Sequence, residues 1–291
     1  ILTIGELILI TPKITNLGYS NLWTDMSTIL GYASNFAQQI QKLFANGEQG
    51  FFYDPNDLST MFQDAARTVP VTTVGQSVGM ICDKSGRNNH AYQTTSASRP
   101  ILRKNAITGA NYLEFDGIDD FLQTSNIDFT ATDKVSLFAG LRKRSDTTGI
   151  FVELSTSADT NPNSFYLAAP QGSYFPFRFY TKAGRTMTSA VAVPLGVASA
   201  PFSCVAIVKS AMVINGDVSI KINQNTYTTK NTTAIGNYGN YPLYIGRRAG
   251  YIYPFNGHLY SLIGIGRLTT DSETAALEKA IAKRTGVTLS A

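Results

Sequence analysis

The stretch YLEFDGIDDFLQT, Tyr112 to Thr124, places four carboxylates within seven positions, on Glu114, Asp116, Asp119 and Asp120. Residues of this type and spacing can do three kinds of chemistry. They can form a nucleophile and general acid for hydrolysis, supply oxygen ligands to Ca²⁺, or hold a tight turn by accepting hydrogen bonds from its amides. Which of the three applies decides whether the chain is an enzyme.

Local pattern favours the turn. Leu113 and Phe115 alternate with Glu114 and Asp116, so the apolar pair faces a core and the two carboxylates face outward. The dipeptide after Phe115 is Asp-Gly, a strong turn signal, and no Trp lies nearby to line a sugar cleft. We therefore interpret the stretch as a structural turn and expect no catalytic residues. Asp116, Asp119 and Asp120 remain candidate Ca²⁺ ligands, and no other cofactor is expected.

The amino-acid composition indicates which secondary-structure elements position these residues. Of the 291 residues 43% are hydrophobic and only 15% charged, below the roughly 25% usual for soluble proteins. Tyr (15), Phe (16) and Gly (24) are abundant, which favours strands and turns. Two cysteines and two histidines provide little material for a metal site or a catalytic triad.

Charge and hydropathy argue against two classes of partner. The net charge of +4 comes from scattered Lys and Arg with no basic run, so we expect no nucleic-acid binding. The longest apolar run, ILILI, is too short to span a bilayer, so we expect no membrane insertion. The chain begins without Met and in mid-pattern, as a fragment or a processed product would.

From Phe51 onward the hydrophobic period is two, with turn residues such as Asn215-Gly216-Asp217 between the segments. No helical pattern intervenes, which predicts a mainly β sandwich or jelly roll over residues 50–291. The strand-like segments are Val135–Leu141, Ile150–Leu154, Ser164–Ala168, Pro176–Tyr180, Ser203–Val208, Val218–Ile222, Leu243–Ile245 and His258–Ile265. Within YFPFRFY, Tyr174 to Tyr180, we read the alternating Phe as core-facing and expect Arg178 to pair with a carboxylate.

Two helices flank this region in our prediction. Residues 1–49 form an N-terminal helical segment for attachment or oligomerisation, because apolar residues there follow a 4-3 heptad spacing. An amphipathic helix docked on its own domain is the alternative. A short closing helix is predicted at residues 271–285, with a capping box at Thr270 and Glu273 and a C-terminal cap at Gly286. The heptad positions are Leu22, Met26, Ile29, Ala33, Phe36, Ile40 and Leu43.

The loop-rich segment Gly236–Tyr253 is the candidate binding surface. Its tyrosines can stack on sugar faces, while its Asn and Arg side chains donate hydrogen bonds to hydroxyls or acidic groups. The alternative is that these side chains cover an edge of the sandwich or a neighbouring subunit. The candidate glycan-binding residues are Tyr238, Asn240, Tyr241, Arg247, Arg248, Tyr251 and Tyr253.

Three phrases in order, DKSGRNNHA (Asp83–Ala91), LEFDGIDDFL (Leu113–Leu122) and PLYIGRRAGYIYPFNGHLYSLIGIGRLTTDSE (Pro242–Glu273), carry a resemblance. Together they resemble the laminin-G-like, concanavalin A-type lectin/glucanase jelly roll, over about Gly50 to Ala291. The segments GFFYDPNDLSTMFQD, FTATDKVSLFAGLRK and GNYGNYPLYIGRR also resemble tail-associated proteins of bacteriophages and prophages.

This resemblance implies a phage tail fibre or receptor-binding protein of the virion. It would be a homo-oligomer, with a trimer favoured, that contacts other tail or baseplate proteins and binds a host surface polysaccharide, pilus or other receptor. Two alternatives stay open: a glycan-degrading enzyme on the same fold, and a purely structural tail component. Laminarinase-type members carry E-x-D-x-x-E, which Glu114, Asp116 and Asp119 approach. However, Asp119 is one methylene shorter than Glu, and Gly117 interrupts the strand.

Overall fold

The computed structural model describes residue 36 and residues 40–157, 160–172, 174–183, 186–194, 196–232, 236–250 and 252–289, with the backbone alone at 182–183 and 186–189. The chain divides into two compact units, Ile1–Gln38 and Gln39–Ala291. The second unit thus begins at Gln39, whereas the predicted sandwich begins at residue 50. The elements below all belong to the second unit.

The second unit contains seventeen described strands, two short 3₁₀ helices (Leu58–Thr60 and Ser96–Ser98), helical residues 40–43 and a C-terminal helix (Asp271–Thr285). The strands are β1 Gly50–Tyr53, β2 Met61–Phe62, β3 Met80–Ile81, β4 Ala91–Tyr92, β5 Ile101–Lys104, β6 Asn111–Asp116, β7 Leu122–Asp128, β8 Lys134–Lys143, β9 Ile150–Leu154, β10 Ser164–Ala168, β11 Arg178–Ala183, β12 Thr186–Ala192, β13 Phe202–Ala211, β14 Asp217–Ile222, β15 Asn225–Lys230, β16 Asn240–Ile245 and β17 Asn256–Ile265.

The strands form two antiparallel sheets. Sheet 1 has the order β15-β14-β13-β8-β17-β6-β5, with β1 also paired to β17. Sheet 2 has the order β12-β11-β10-β9-β16-β7-β4-β3-β2. Strands distant in sequence, such as β8, β13 and β17, lie side by side, as in a jelly-roll sandwich. The predicted mainly β sandwich is confirmed.

One hydrophobic core lies between the sheets, and strand alternation builds it. Leu137 and Leu141 of β8 meet Phe165 and Leu167 of β10 in a single buried cluster. Cys204 is fully buried in the same cluster as a free thiol. The intervening residues of β10 face the opposite side of sheet 2 and become important for the candidate site.

The C-terminal helix covers the outer face of sheet 1, where it contacts β8, β13 and β17. Its predicted caps are confirmed: Thr270 and Glu273 form the capping box, and Gly286 adopts a left-handed conformation with φ 74°. Gly140 of β8 allows the close approach, because a Cβ atom at this position would lie 2.6 Å from Cγ2 of Ile281. A larger residue there would push the helix off the sheet.

The predicted heptad seam lies largely outside the described residues, since Leu22, Met26, Ile29 and Ala33 are not described. Phe36 is helical, as are residues 40–43. Ile40 and Leu43 are 2% and 1% exposed within the single chain. The attachment or oligomerisation role of residues 1–49 stays a prediction, as does the alternative of a docked helix.

Among the described residues, no helix combines the length and apolar character needed to cross a membrane.

Candidate functional site

The four carboxylates of the opening stretch lie at the end of β6 and in the turn that follows. Oδ1 of Asp116 accepts hydrogen bonds from the amides of Ile118 (2.8 Å) and Asp119 (3.3 Å), while Oδ2 of Asp120 accepts from the amide of Asp116 (3.1 Å). Gly117 has φ 79°, a backbone conformation that favours glycine. The carboxylates thus bond the amides of their own turn.

Glu114 faces outward from β6 and is held by two arginines. Its Oε2 lies 2.7 Å from Nε of Arg103, and its Oε1 lies 2.6 Å from Nη1 of Arg144. Partial burial acts to raise the pKa of Glu114, but the hydrogen bond from Arg103 and the charges of both arginines outweigh it and lower the pKa. Glu114 is therefore an ionised, doubly paired carboxylate.

Asp120 has the opposite electrostatic environment. Burial, followed by the neighbouring charge of Asp116, raises the pKa of Asp120 to about 7. Asp120, Glu114 and Asp116 line one cavity of about 440 Å³, together with Arg103 and Arg144. Its lining includes no aromatic residue. The cavity thus holds one carboxyl group with a raised pKa, Asp120, and one with a lowered pKa, Glu114. A general acid and the ionised carboxylate that acts with it require this difference.

Asp116, Asp119 and Asp120 also meet the first requirement of a cation site, because one oxygen from each lies within 4.8 Å of the others. Ca²⁺ takes six to eight oxygen ligands. These carboxylates already accept bonds from described groups, and Oδ2 of Asp119 accepts from the Ser98 hydroxyl at 2.7 Å. The calcium site stays a prediction.

The structure separates the seven residues that the sequence grouped as glycan-binding. Tyr238 is a core residue, 1% exposed, with its hydroxyl 2.8 Å from Oγ of Ser210. Tyr241 packs against the same core, and Asn240 is exposed at the start of β16. Arg247 is 4% exposed, with its guanidinium over the ring of Phe121. Tyr251 lies outside the described residues.

Arg248 and Tyr253 do come together, at a cavity of about 250 Å³ on the outer face of sheet 2. We call this cavity the outer-face pocket. Two of its lining tyrosines are exposed, Tyr253 to 43% and Tyr174 to 70%. The lining residues are Thr148, Ile150, Tyr166, Gln171, Gly172, Tyr174, Arg248 and Tyr253.

Two short hairpins flank the outer-face pocket. One is closed by a bridge between Gln171 and Phe175, the other by a bridge between Arg248 and Ile252. Tyr253 has φ 54°, a conformation that costs a non-glycine residue about 1–3 kcal/mol and is concentrated at functional sites. The pocket thus lies between loops on a rigid sheet, where binding sites concentrate.

Arg248 is fixed in position by its surroundings. Its Nε lies 3.7 Å from Oε2 of Glu153, a β9 residue with no exposed surface. Its guanidinium carbon lies 5.7 Å from the ring centroid of Tyr166 and 6.0 Å from that of Tyr253. A guanidinium held in this way keeps its donors in place for a ligand.

Strand register creates the aromatic floor beside the pocket. Tyr166 of β10 pairs with Tyr180 of β11 and with Glu153 of β9, so all three face outward. The Tyr166 and Tyr180 rings stack with centroids 4.5 Å apart, and both belong to a second buried cluster separate from the core. Burial, with a smaller effect of Tyr180, raises the pKa of Tyr166, so its hydroxyl stays protonated.

The environment of Arg178 differs from the predicted one. No described carboxylate pairs with it; its guanidinium instead lies over the rings of Phe175 (4.8 Å) and Tyr180 (4.4 Å). The predicted ion pair is not found among the described residues, because Arg178 faces the outer side of sheet 2, where its guanidinium lies against aromatic rings.

Sequence reasoning missed Tyr166, Tyr174 and Glu153 as site residues. Alternation within SFYLA was a usable signal, since it places Tyr166 on the face opposite Phe165 and Leu167. Nothing local showed that the loop carrying Arg248 and Tyr253 reaches this strand. Chemically, exposed tyrosines beside a fixed guanidinium suit a polar ring with several hydroxyl acceptors.

No protein-family model matches the chain, and no curated protein matches it. Solved structures do share its fold. A mutant of GH54 α-L-arabinofuranosidase soaked with 4-nitrophenyl α-L-arabinofuranoside aligns with TM-score 0.54 and 10% identity, over 84% of this chain and 65% of that chain. The binding domain of botulinum neurotoxin DC in complex with SialylT aligns with TM-score 0.51 and 13% identity, over 78% and 52%.

The ligand-binding domain of botulinum neurotoxin serotype D in complex with N-acetylneuraminic acid aligns with TM-score 0.51 and 7% identity, over 78% of this chain and 51% of that chain. The chain spans about half the length of the two neurotoxin structures. Identities this low show a shared sandwich fold, one used both by sugar-binding domains and by glycoside hydrolases.

Proposed function

We propose that this chain binds glycan at the outer-face pocket. The observation that carries the proposal is the pocket itself, which exposed Tyr174 and Tyr253 line together with Arg248, and Glu153 and Tyr166 hold Arg248 in place. Tyrosine faces can stack on a sugar ring while the guanidinium donates to its oxygens. The cavity, about 250 Å³, is below the roughly 300–1,000 Å³ of drug-sized pockets and suits about one sugar ring.

The biological setting that we propose is a bacteriophage tail. Support comes from the sequence phrases that resemble phage tail proteins, together with the predicted N-terminal heptad seam. In this setting the chain is a tail-fibre or receptor-binding component of the virion. It is trimeric, attached to other tail or baseplate proteins, and binds a host surface polysaccharide or another receptor. Several weak sites on one assembly give avidity without a single tight contact.

A glycan array and a host-cell binding assay test the proposal with the full chain. We expect Tyr253→Ala and Tyr174→Ala each to weaken glycan binding about tenfold or more, since stacking on a sugar ring is lost. Ile107→Ala is the control, because Ile107 is 95% exposed and lies outside the pocket lining. An array without any hits, beside unimpaired virion assembly, would support a purely structural tail role instead.

Glycoside hydrolysis is the second candidate, and the cavity of about 440 Å³ lined by Glu114, Asp116 and Asp120 favours it. Asp120, with its pKa raised to about 7, would be the general acid, and the ionised Glu114 would be the second catalytic carboxylate. Release of reducing ends from host glycans would establish this activity, and Asp120→Asn and Glu114→Gln should abolish it. If wild-type protein releases none, the carboxylates have only a structural role.

A further inference from the structure

Arg178 lies on the outer face of sheet 2 beside the outer-face pocket. It pairs with Ala168 across β11 and β10, and Ala168 pairs with Ile150, which lines the pocket. Phe175, one of the two rings under the Arg178 guanidinium, forms a bridge with Gln171 of the pocket wall. The other ring, Tyr180, stacks on Tyr166 of the pocket. Arg178 is therefore connected to the pocket through both of its ring contacts.

Among the described residues, the surroundings of Arg178 leave its charge without a carboxylate partner. The two rings contact the guanidinium but accept no in-plane hydrogen bonds. Nε is shielded from solvent and has no hydrogen-bond partner. Among the described residues no carboxylate forms an ion pair with Arg178, whereas Arg248 has the buried Glu153 within 3.7 Å. A shielded donor without a partner costs free energy that a bound acceptor would recover.

Charge balance distinguishes the two arginines. Glu153 lies 3.7 Å from Arg248 and offsets part of its positive charge. Arg178 adds a positive charge on the same face that no described carboxylate pairs with, in a partly shielded setting where Coulombic attraction exceeds that in bulk water. A planar guanidinium with its faces on aromatic rings matches a carboxylate in two parallel hydrogen bonds.

We propose that the glycan bound at this face is a carboxylated oligosaccharide. One sugar ring occupies the outer-face pocket between Tyr174 and Tyr253, and a carboxylate on the same or the adjacent sugar pairs with Arg178. This inference rests on the proposed function and adds the ligand's chemical class and the residue that selects it. Arg248 contacts hydroxyls and contributes to binding of any sugar, whereas Arg178 discriminates acidic from neutral ones.

The test compares matched ligands on the full chain. Galacturonic acid oligomers and sialyllactose are measured beside their carboxyl-reduced forms, which keep the ring and lose the charge. We expect the native forms to bind wild-type protein about tenfold or more tightly than the reduced forms. This comparison needs no variant, so it holds whatever a substitution does to folding.

Substitutions then assign the selectivity to a residue. Arg178→Gln should remove the preference for the carboxylated forms and leave binding of reduced forms within about twofold. Lys104→Gln is the matched control, since it removes the same charge from an exposed position on edge strand β5 of sheet 1. Tyr253→Ala should weaken both forms alike.

The possible outcomes distinguish a failure of carboxylate selection from a failure of glycan binding. Equal binding of native and reduced forms by wild-type protein, or an equal loss of both in Arg178→Gln, would overturn the carboxylate inference while the glycan-binding function stands. Failure of every glycan to bind, with Tyr253→Ala indistinguishable from wild type, would overturn the proposed function itself.

Discussion

Carboxylates that look equivalent in the stretch Tyr112 to Thr124 differ in the folded chain because of their neighbours. Glu114 lies between two arginines, Asp116 binds turn amides, and Asp120 is buried beside Asp116. The sequence predicted the turn correctly, since Asp-Gly after an alternating strand is a local signal. It contained no comparable signal for the arginines at 103 and 144, which come from other strands or loops.

At the scale of single residues, Glu273 provides a pH prediction. The hydrogen bond from Arg267 to Glu273 is the largest influence and, against partial burial, lowers the pKa of Glu273 to about 2. A carboxyl group with a lowered folded-state pKa stabilises the fold above its unfolded pKa, near 4.5, and that stability is lost as the pH falls toward 2.

We expect Glu273→Gln to reduce the free energy of unfolding by roughly 1–3 kcal/mol at pH 7, with the difference shrinking between pH 4.5 and 2. Gln preserves the capping box, so the loss reports the charge. Urea unfolding at pH 7, 4 and 2.5 measures it, with Asp271→Asn as control because Asp271 is exposed in the same helical turn. A difference that does not vary with pH would contradict the assignment.

At the scale of elements, β10 shows how a single strand serves two purposes. Phe165 and Leu167 fill the core, while Tyr166 and Ala168 build the second cluster on the outer face. The side chains of directly paired residues in antiparallel strands point to the same side of a sheet. Tyr166 of β10, Glu153 of β9 and Tyr244 of β16 are paired in this way, so all three side chains lie on the outer face of sheet 2. Local alternation predicts the two faces but not which strands become neighbours.

The packing of the C-terminal helix on sheet 1 gives an element-scale prediction. Gly140→Ala would place a Cβ atom 2.6 Å from Cγ2 of Ile281, so we expect a loss of about 1–3 kcal/mol in unfolding free energy.

The double variant with Ile281→Ala tests this contact. Ile281→Ala alone removes the Cγ2 methyl group and leaves a cavity beside Gly140. In the double variant the new methyl partly fills the cavity, so chemical denaturation should show a cost below the sum of the two single costs. Simple additivity would show that Gly140 and Ile281 do not pack as described.

At the scale of the whole molecule, the proposed tail-fibre role requires several copies. We expect the full chain to be a trimer by light scattering. Met26→Asp combined with Ile29→Asp, in the predicted heptad seam, should yield monomers. The monomers should keep their affinity for a soluble oligosaccharide but lose about 10²–10⁴ in apparent affinity for a glycan-coated surface. A wild-type chain that is a stable monomer would contradict the trimer and the avidity argument together.

The sequence by itself determined the class of fold, about half of the described strands and the C-terminal helix with both caps. These depend on alternation, turn dipeptides and capping residues, whose effects act within a few neighbouring positions. The predicted segments Ile150–Leu154 and Ser164–Ala168 coincide with β9 and β10, whereas β12 and β15 lacked the apolar alternation that would have predicted them.

Only the tertiary structure decided which polar and aromatic side chains share a site. It moved Tyr238 into the core, and it joined Arg248 and Tyr253 to Tyr166, a residue more than eighty positions away. The physical reason is that sheet order and register are set by burying apolar faces over the whole chain. The outward side chains meet as a consequence of that burial, and no local pattern of their own encodes the meeting.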